Sequence, residues 1–257
     1  MDLSLFRMRS ASKIIVPLTA AYLALPLFGL LLQTDLGQLS HLSSNQSVLH
    51  ALNLSLSTAL FSTLIVVGFG TPFAWWLSRR FRDKPPLALQ LLIHWPLVIP
   101  PSVLGLALLD TYGNQGLFGL NLAFTPIAIV LVQTIVAAPL YLQAALSSFS
   151  HKQASYLDVA KTLGASDILI AKEVIWPLNR WALLGGASLA FARALGEFGA
   201  TLIFAGNLPR STQTVPLAIY EFLEADLNSA RFLALVLLFI GLALITVAYR
   251  LQPREQP

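Results

Sequence analysis

Three long stretches of this 257-residue chain contain no Asp, Glu, Lys or Arg: Asp35 to Arg79, Lys84 to Asp110, and Asp110 to Lys152. About 20 apolar residues in a helix cross a hydrocarbon core some 30 Å thick, and each stretch is longer than that. The composition agrees, with 56% hydrophobic and 11% charged residues, where a soluble domain carries about a quarter charged. This balance excludes a soluble enzyme, a nucleic-acid binder and a disordered chain. The net charge of +4 is no nucleic-acid signal, because the basic residues are sorted by side. The absence of cysteine removes disulfides, thiolate metal sites and cysteine nucleophiles.

Six segments have the length and composition of membrane helices: Ile14–Gln33, Ala51–Ser78, Leu87–Leu109, Pro126–Phe149, Trp181–Ala205 and Phe232–Tyr249. Arg7, Arg9 and Lys13 precede the first; Arg79, Arg80, Arg82 and Lys84 follow the second. Lys152, Lys161, Lys172 and Arg180 follow the fourth, and Arg250 and Arg254 form the tail. Basic loops stay cytoplasmic, so both termini are expected inside, as an even number of spans requires. Only Arg210 and Arg231 fall in outside loops, and Arg193 falls within a span. The first apolar stretch is longer than the 7–15 residues of a signal-peptide core, which favours a retained helix. The outside loop Thr34–His50 is polar, and no internal repeat or low-complexity tract is evident.

Two spans break the pattern of a plain helix. The third contains Pro96, Pro100 and Pro101, followed by Ser102 and Gly105. Each proline removes a donor and clashes with the preceding turn, and in lipid the freed carbonyls need protein or water. A packing kink is one reading; a pathway-lining broken helix, as transporters use, is the favoured one. The fifth holds Arg193 and Glu197, the only charges well inside any span. Four residues apart on one helical face, they can pair, and a charge at mid-bilayer marks a bundle interior or a water path. A structural ion pair and a pathway role are equally open. Gly196 and Gly199 permit close helix approach.

The inside loop after the fourth span has structure of its own. Ser155 and Asp158 fit a capping box, and Gly164 suits the left-handed position that ends a helix. A second short helix is expected from Ser166, stopping before Pro177. Two small helices too polar to insert read as a docking element, with an ordinary connection as the plain alternative. On the other side, Thr212 to Asn228 reads as an amphipathic or re-entrant segment at the outer mouth, or a surface loop.

On these residues the chain resembles the permease subunits of binding-protein-dependent ABC importers. Asp158-Val-Ala-Lys-Thr-Leu-Gly164 followed by Val174-Ile-Trp-Pro177 is similar to the family's coupling motif: Glu-Ala-Ala, three residues, Gly, nine residues, then Ile-x-Leu-Pro. Asp158, Val159 and Trp176 depart from the usual Glu, Ala and Leu. His-Trp-Pro-Leu-Val-Ile-Pro-Pro, Ala-Leu-Gly-Glu-Phe-Gly-Ala-Thr, Phe-Ala-Gly-Asn-Leu-Pro and Thr214-Val-Pro-Leu-Ala-Ile-Tyr are similar to the molybdate/tungstate permeases, with the sulfate permeases next. The resemblance covers Ala51 to Tyr249. It implies an all-α integral membrane protein of the type I importer fold, with about six transmembrane helices and a cytoplasmic coupling helix. Residues 1–50 would add an extra helix, 51–249 form the transmembrane domain with its coupling loop at 150–180, and 250–257 the tail. The implied partners are a second copy of the chain, two cytoplasmic ABC ATPase subunits and an extracytoplasmic solute-binding protein, in a bacterial cytoplasmic membrane. Asp158, Val159, Ala160, Leu163, Gly164, Val174 and Pro177 would couple to the ATPase. Pro100, Pro101, Ser102, Arg193, Glu197 and Thr201 are the candidates for the pathway and gate of a tetrahedral oxyanion, molybdate or tungstate.

A phosphate-binding loop needs Gly directly before Lys; the lysines here follow Ser12, Asp83, His151, Ala160 and Ala171. The four histidines are scattered and form no His-Glu-x-x-His. The chain is therefore expected to bind no cofactor and to be no enzyme by itself, with ATP and Mg²⁺ held by the partner ATPase. The alternatives are a sulfate/thiosulfate permease, an ion-coupled secondary transporter using Arg193 and Glu197, and, least supported, an intramembrane enzyme. The inside loop favours the ABC reading over the secondary transporter.

Overall fold

The computed structural model describes residues 3–35, 37, 45–81, 85–149 and 159–251, and among these every regular element is helical. In chain order these are α1 (Leu3–Gln33), α2 (Gln46–Arg80), α3 (Leu87–Val98), α4 (Pro101–Tyr112), α5 (Pro126–Ser148), α6 (Asp167–Ile170), α7 (Trp176–Leu195), α8 (Gly199–Phe204), α9 (Val215–Ala225) and α10 (Leu227–Leu251). A single helical turn at 159–162 precedes α6. A π-helical turn, Ala171–Ile175, joins α6 to α7.

Local chemistry sets several helix starts. Asn45 caps α2, its side chain accepting the Ser47 N–H at 3.0 Å. Thr125 caps α5 through the Ala128 N–H, with Pro126 in the first turn where its missing donor costs nothing. Asp226 opens α10 by accepting the Ser229 hydroxyl and the Asn228 and Ser229 N–H groups. The Ser229 hydroxyl, aided by those amides, holds the Asp226 carboxyl below its usual range.

Four helices contain spans long and apolar enough to cross a membrane: Ile15–Gln33, Gln46–Arg80, Pro126–Ser148 and Leu227–Leu251. The pair α3 and α4 supplies a fifth if counted as one span, but it is bent by 109°. The expected span Leu87–Leu109 is thus two helices. Ile99 and Pro100 both take extended backbone, ψ 133° and 135°, because a residue before proline is pushed out of the helical region. Two adjacent prolines apply that restriction twice. The expected span Trp181–Ala205 also needs correction. Its helix begins at Trp176 and ends at Leu195, and a separate short helix follows at Gly199. Since α7 carries Asn179, Arg180 and Arg193, it does not join the four apolar helices; among the described residues four helices, or five with the bent pair, are long and apolar enough to cross.

The bundle is built on α2, α5 and α7, with α10 against α7. Helices in lipid gain little from apolar burial against one another; close packing and interhelical hydrogen bonds hold them. Both are present. Ser62 Oγ donates to Val130 O at 3.1 Å and pairs with Gln133, and Thr71 bonds the Tyr141 hydroxyl. These pairings, with the Trp75 and Phe149 rings 5.3 Å apart, run α2 and α5 in the same direction. Gly186 lets α7 approach α5 so closely that an added Cβ would lie 2.6 Å from Ala144 Cβ. A Gly186→Ala variant is expected to lose about 1–3 kcal/mol, read as a lowered thermal unfolding temperature of the purified chain in detergent.

This arrangement gathers the described basic residues of one end. Arg79 stacks over Trp75 at 5.1 Å and Arg180 over Trp181 at 5.0 Å, while Arg250 ends α10, whose Ala248 carbonyl packs against Gly185 of α7. At the opposite end, Val48 and Ala51 of α2, Val215 and Ala218 of α9 and Leu233 of α10 form one buried cluster. There α1 reaches the bundle through Arg231, which donates to Gln33 O and Oε1.

Candidate functional site: a crossing of two broken helices and an exposed apolar knob

The two interrupted helices meet. The gap between α3 and α4 lies against the start of α8, where a Cβ on Gly199 would come 2.8 Å from Pro101 Cβ. One turn further along α4, a Cβ on Gly105 would meet Ala200 O and Ile203 Cβ, each at 2.9 Å. Any side chain larger than hydrogen at these positions forces the short helices apart. The structure therefore brings Pro101 and Gly105 of the third span against Gly199 and its neighbours in the fifth.

Glu197 pairs with Arg193, Oε2 to Nη1 at 2.9 Å, but not across the face of a continuous helix. Glu197 has left α7, which is capped by Gly196. Its second oxygen, Oε1, accepts the Ala200 N–H at 3.0 Å, as a carboxylate at a helix start does. The side chain is 2% exposed, against 31% for Arg193. One carboxylate thus ties the end of α7 to the start of α8 with both oxygens engaged, and the guanidinium neutralises it. A buried charge in this state is tolerated; stripped of its partner it is not. Thr201, one turn on, is fully buried, and its Oγ1 has no hydrogen-bond partner among the described residues. Pro100, Pro101 and Ser102 are exposed.

Two contacts brace this crossing that the amino-acid pattern does not announce. The Phe198 ring lies 5.5 Å from Tyr220 of α9, so the segment expected to be amphipathic or re-entrant forms a helix that touches the break directly. Phe124 adopts φ +61°, rare for a bulky residue. Its N–H donates to Phe204 O at the end of α8 at 3.0 Å, and its ring covers Gly206 at φ +73°. Only the tertiary neighbours signal such contacts. Among the described residues no group of three His, Asp or Glu can hold a metal.

The loop after α5 forms the second feature. The proposed capping box, Ser155 to Asp158, lies outside the described residues. The turn at 159–162 ends as expected: Gly164 has φ +79°, its N–H donates to Lys161 O, and the Ala165 N–H donates to Ala160 O. That pair of bonds is a Schellman closure with glycine in the left-handed position. Ser166 starts the next helix, accepting the Leu169 N–H. The expected stop before Pro177 does not occur. The π turn leads straight into α7, and the Trp176 N–H donates to Ala171 O, one residue beyond the α-helical partner. A wider turn there accommodates the Pro177 ring, which would otherwise meet the carbonyl of a regular helix. Val159, Ala160, Leu163, Val174 and Pro177 line one open cleft of about 410 Å³ with Glu173 and Leu178. Leu163 is 82% exposed and Ile168 81%, so this end carries an apolar knob.

Curated relatives align over most of the chain. The molybdenum transport system permease protein ModB of Mycobacterium tuberculosis is 39% identical over 228 residues, 86% of this chain and 86% of the relative. A probable molybdenum ABC transporter permease of Haloferax volcanii is 36% identical over 235 residues, 90% of this chain and 85% of that protein. The chain belongs to the molybdenum transport permease family.

No protein-family model matches the chain. A probable transport system permease protein, NifC, of Clostridium pasteurianum is 30% identical over 255 residues, 93% of this chain and 89% of the relative. A match that long runs into the first helix, which the motifs alone left outside. Membership in the molybdenum permease family agrees with an all-helical membrane protein named for transport rather than for an enzymatic reaction. The relatives' names do not favour the sulfate or secondary-transport readings.

Proposed function

We propose that this chain is the membrane-spanning subunit of an ATP-driven importer that carries molybdate, or the isostructural tungstate, across the cytoplasmic membrane. The observation that carries the reading is the 39% identity over 86% of the chain to a molybdenum transport permease. Under this reading both termini and the basic end of the bundle face the cytoplasm, because Arg79, Arg80, Arg180 and Arg250 share that end. Six crossings follow if α3–α4 and α7–α8 are each one interrupted span. The apolar knob around Gly164 then projects from the cytoplasmic face and docks on an ABC ATPase, one per copy of a homodimer. An extracytoplasmic binding protein delivers the anion to the opposite face. The chain supplies no nucleotide, metal or cofactor site of its own; ATP and Mg²⁺ belong to the ATPase.

The broken helices suit such cargo. A tetrahedral dianion sheds water stepwise, and interrupted helices offer backbone dipoles and hydroxyls without a dense cationic lining that would trap it. Among the described residues that form the crossing, Arg193 carries the basic charge, and Glu197 already pairs with it. The pathway is thus near neutral at rest, and tight binding is left to the delivery protein. Glu197 and Arg193 hold the junction between α7 and α8 with Thr201 buried one turn on, while Pro100, Pro101 and Ser102 border the gap between α3 and α4.

Co-expression of the chain with its ATPase and binding protein, followed by reconstitution in liposomes, tests the reading. ATP-dependent uptake of molybdate is expected, with tungstate competing and sulfate competing poorly. Uptake driven by an ion gradient without ATP, or failure of any ATPase subunit to copurify, would overturn it.

A further inference from the structure

At the end of the bundle opposite the basic one, polar side chains converge that neither the helix crossing nor the knob employs. Gln46, His50 and Asn53 recur at i, i+4 and i+7, so they share one face of the first two turns of α2. Arg210 approaches that face from the α8–α9 connection. Together with Leu49 these four residues line an open cleft of about 520 Å³.

The connection is rigid where it presents Arg210. The N–H groups of Ser211, Thr212 and Gln213 all converge on Leu208 O, and the Leu208 N–H donates to Thr212 Oγ1. The Val215 N–H donates to Ser55 Oγ at 2.7 Å, which pins the loop to the next turn of α2. Arg210 occupies the tip at φ +63°, a left-handed conformation that costs a long side chain about 1–2 kcal/mol. Such strain persists where surrounding structure over-determines it, and it concentrates at functional positions.

No side chain of the four makes a hydrogen bond or ion pair with any described residue. The contrast with the other basic residues away from the cytoplasmic end is informative: Arg193 is paired with Glu197 and Arg231 is bonded to Gln33. Among the described residues no carboxylate lines the cleft. A guanidinium fork, two carboxamides and an imidazole facing shared space form a donor set with no competing acid, which suits a tetrahedral oxyanion.

We infer that this cleft is a low-affinity landing site for a free oxyanion dianion, with Arg210 as the charge-bearing residue. The opening to water screens the charge and keeps occupancy brief, as a conduit needs. Its assignment to entry rather than exit rests on the orientation proposed above; the binding of the anion does not.

The test uses the full chain, without partners, in nanodiscs of zwitterionic lipid, titrated with radiolabelled molybdate at constant ionic strength. Saturable binding is expected, displaced by sulfate and not by chloride. Arg210→Gly removes the guanidinium and relieves the backbone, so unfolding temperature should hold while binding weakens about tenfold or more. Asn53→Ala should weaken it by a smaller factor, and Arg250→Gln at the other end should leave it unchanged. Wild-type binding that does not saturate, an Arg210→Gly variant that binds as wild type, or an equal loss in Arg250→Gln would overturn the site. So would loss of molybdate binding in nanodiscs of anionic lipid that persists when added salt screens the surface potential, since a lipid phosphate would then be the occupant. Uptake lost in the assembled transporter with this binding intact would count against the proposed function and not against the cleft.

Discussion

Replacing Gly164 with Val is expected to reduce ATP-driven uptake by tenfold or more, while Gly164→Asn retains most of it. The two variants separate backbone conformation from space. A Cβ on Gly164 meets nothing within 4 Å, so no neighbour is displaced by either side chain. What differs is the tolerance of φ +79°: asparagine visits the left-handed region readily, whereas a β-branched residue is a genuine outlier there. At about 1–2 kcal/mol or more, valine undoes the bonds from Gly164 N–H to Lys161 O and from Ala165 N–H to Ala160 O. The turn at 159–162 then loses its end, and the cleft shared by Val159, Leu163, Val174 and Pro177 loses one wall. The measurement is copurification of the ATPase together with uptake by reconstituted transporter. Equal uptake by the Val and wild-type proteins would show that the knob's geometry does not matter for coupling.

The second large effect is expected at Glu197. Glu197→Gln keeps an oxygen for the Ala200 N–H but gives up the charge that Arg193 faces at 2.9 Å. A hydrogen bond to a charged group contributes about 1.5–3 kcal/mol, so transport should fall about tenfold or more while the chain still assembles. Glu197→Ala also leaves the Ala200 N–H unpaired and should lower thermal stability as well. The cost falls short of the about 3–5 kcal/mol of a fully buried broken pair, because Arg193 is 31% exposed and water shares its charge. Combining Arg193→Gln with Glu197→Gln discriminates the roles. If the pair only locks α7 to α8, the double variant regains stability and transport together. If Arg193 faces the passing anion, stability returns and transport does not. Loss of assembly in the Glu197→Gln variant alone would make the pair structural.

Much of this was legible in the chain because its signals are local. Proline excludes the helical backbone from its own neighbour, so the tandem Pro100-Pro101 declared a break without reference to any other residue. Gly164, placed between a short helical pattern and Ser166, declared a left-handed closure, and the bonds found there are those a Schellman ending requires. The continuation through Pro177 was misjudged because a proline stops a regular helix, and the π turn that admits it depends on neighbouring turns. The fifth span was drawn too long for a related reason. Arg193 and Glu197 fall at helical spacing whether or not the helix persists between them, and spacing alone cannot distinguish a pair on one face from a cap across a gap.

Apolar length, proline placement, charge sorting and a glycine-closed loop dictated a helical membrane protein with interrupted spans and a structured loop, since each acts over one or two turns of chain. The 109° bend, the seating of Pro101 on Gly199, the strained Phe124 over Gly206 and the meeting of Arg210 with Gln46, His50 and Asn53 were decided by the folded bundle alone. Close approach between segments far apart in sequence is governed by how helices pack, and glycine, arginine and phenylalanine look the same in a sequence whether or not a partner arrives opposite them.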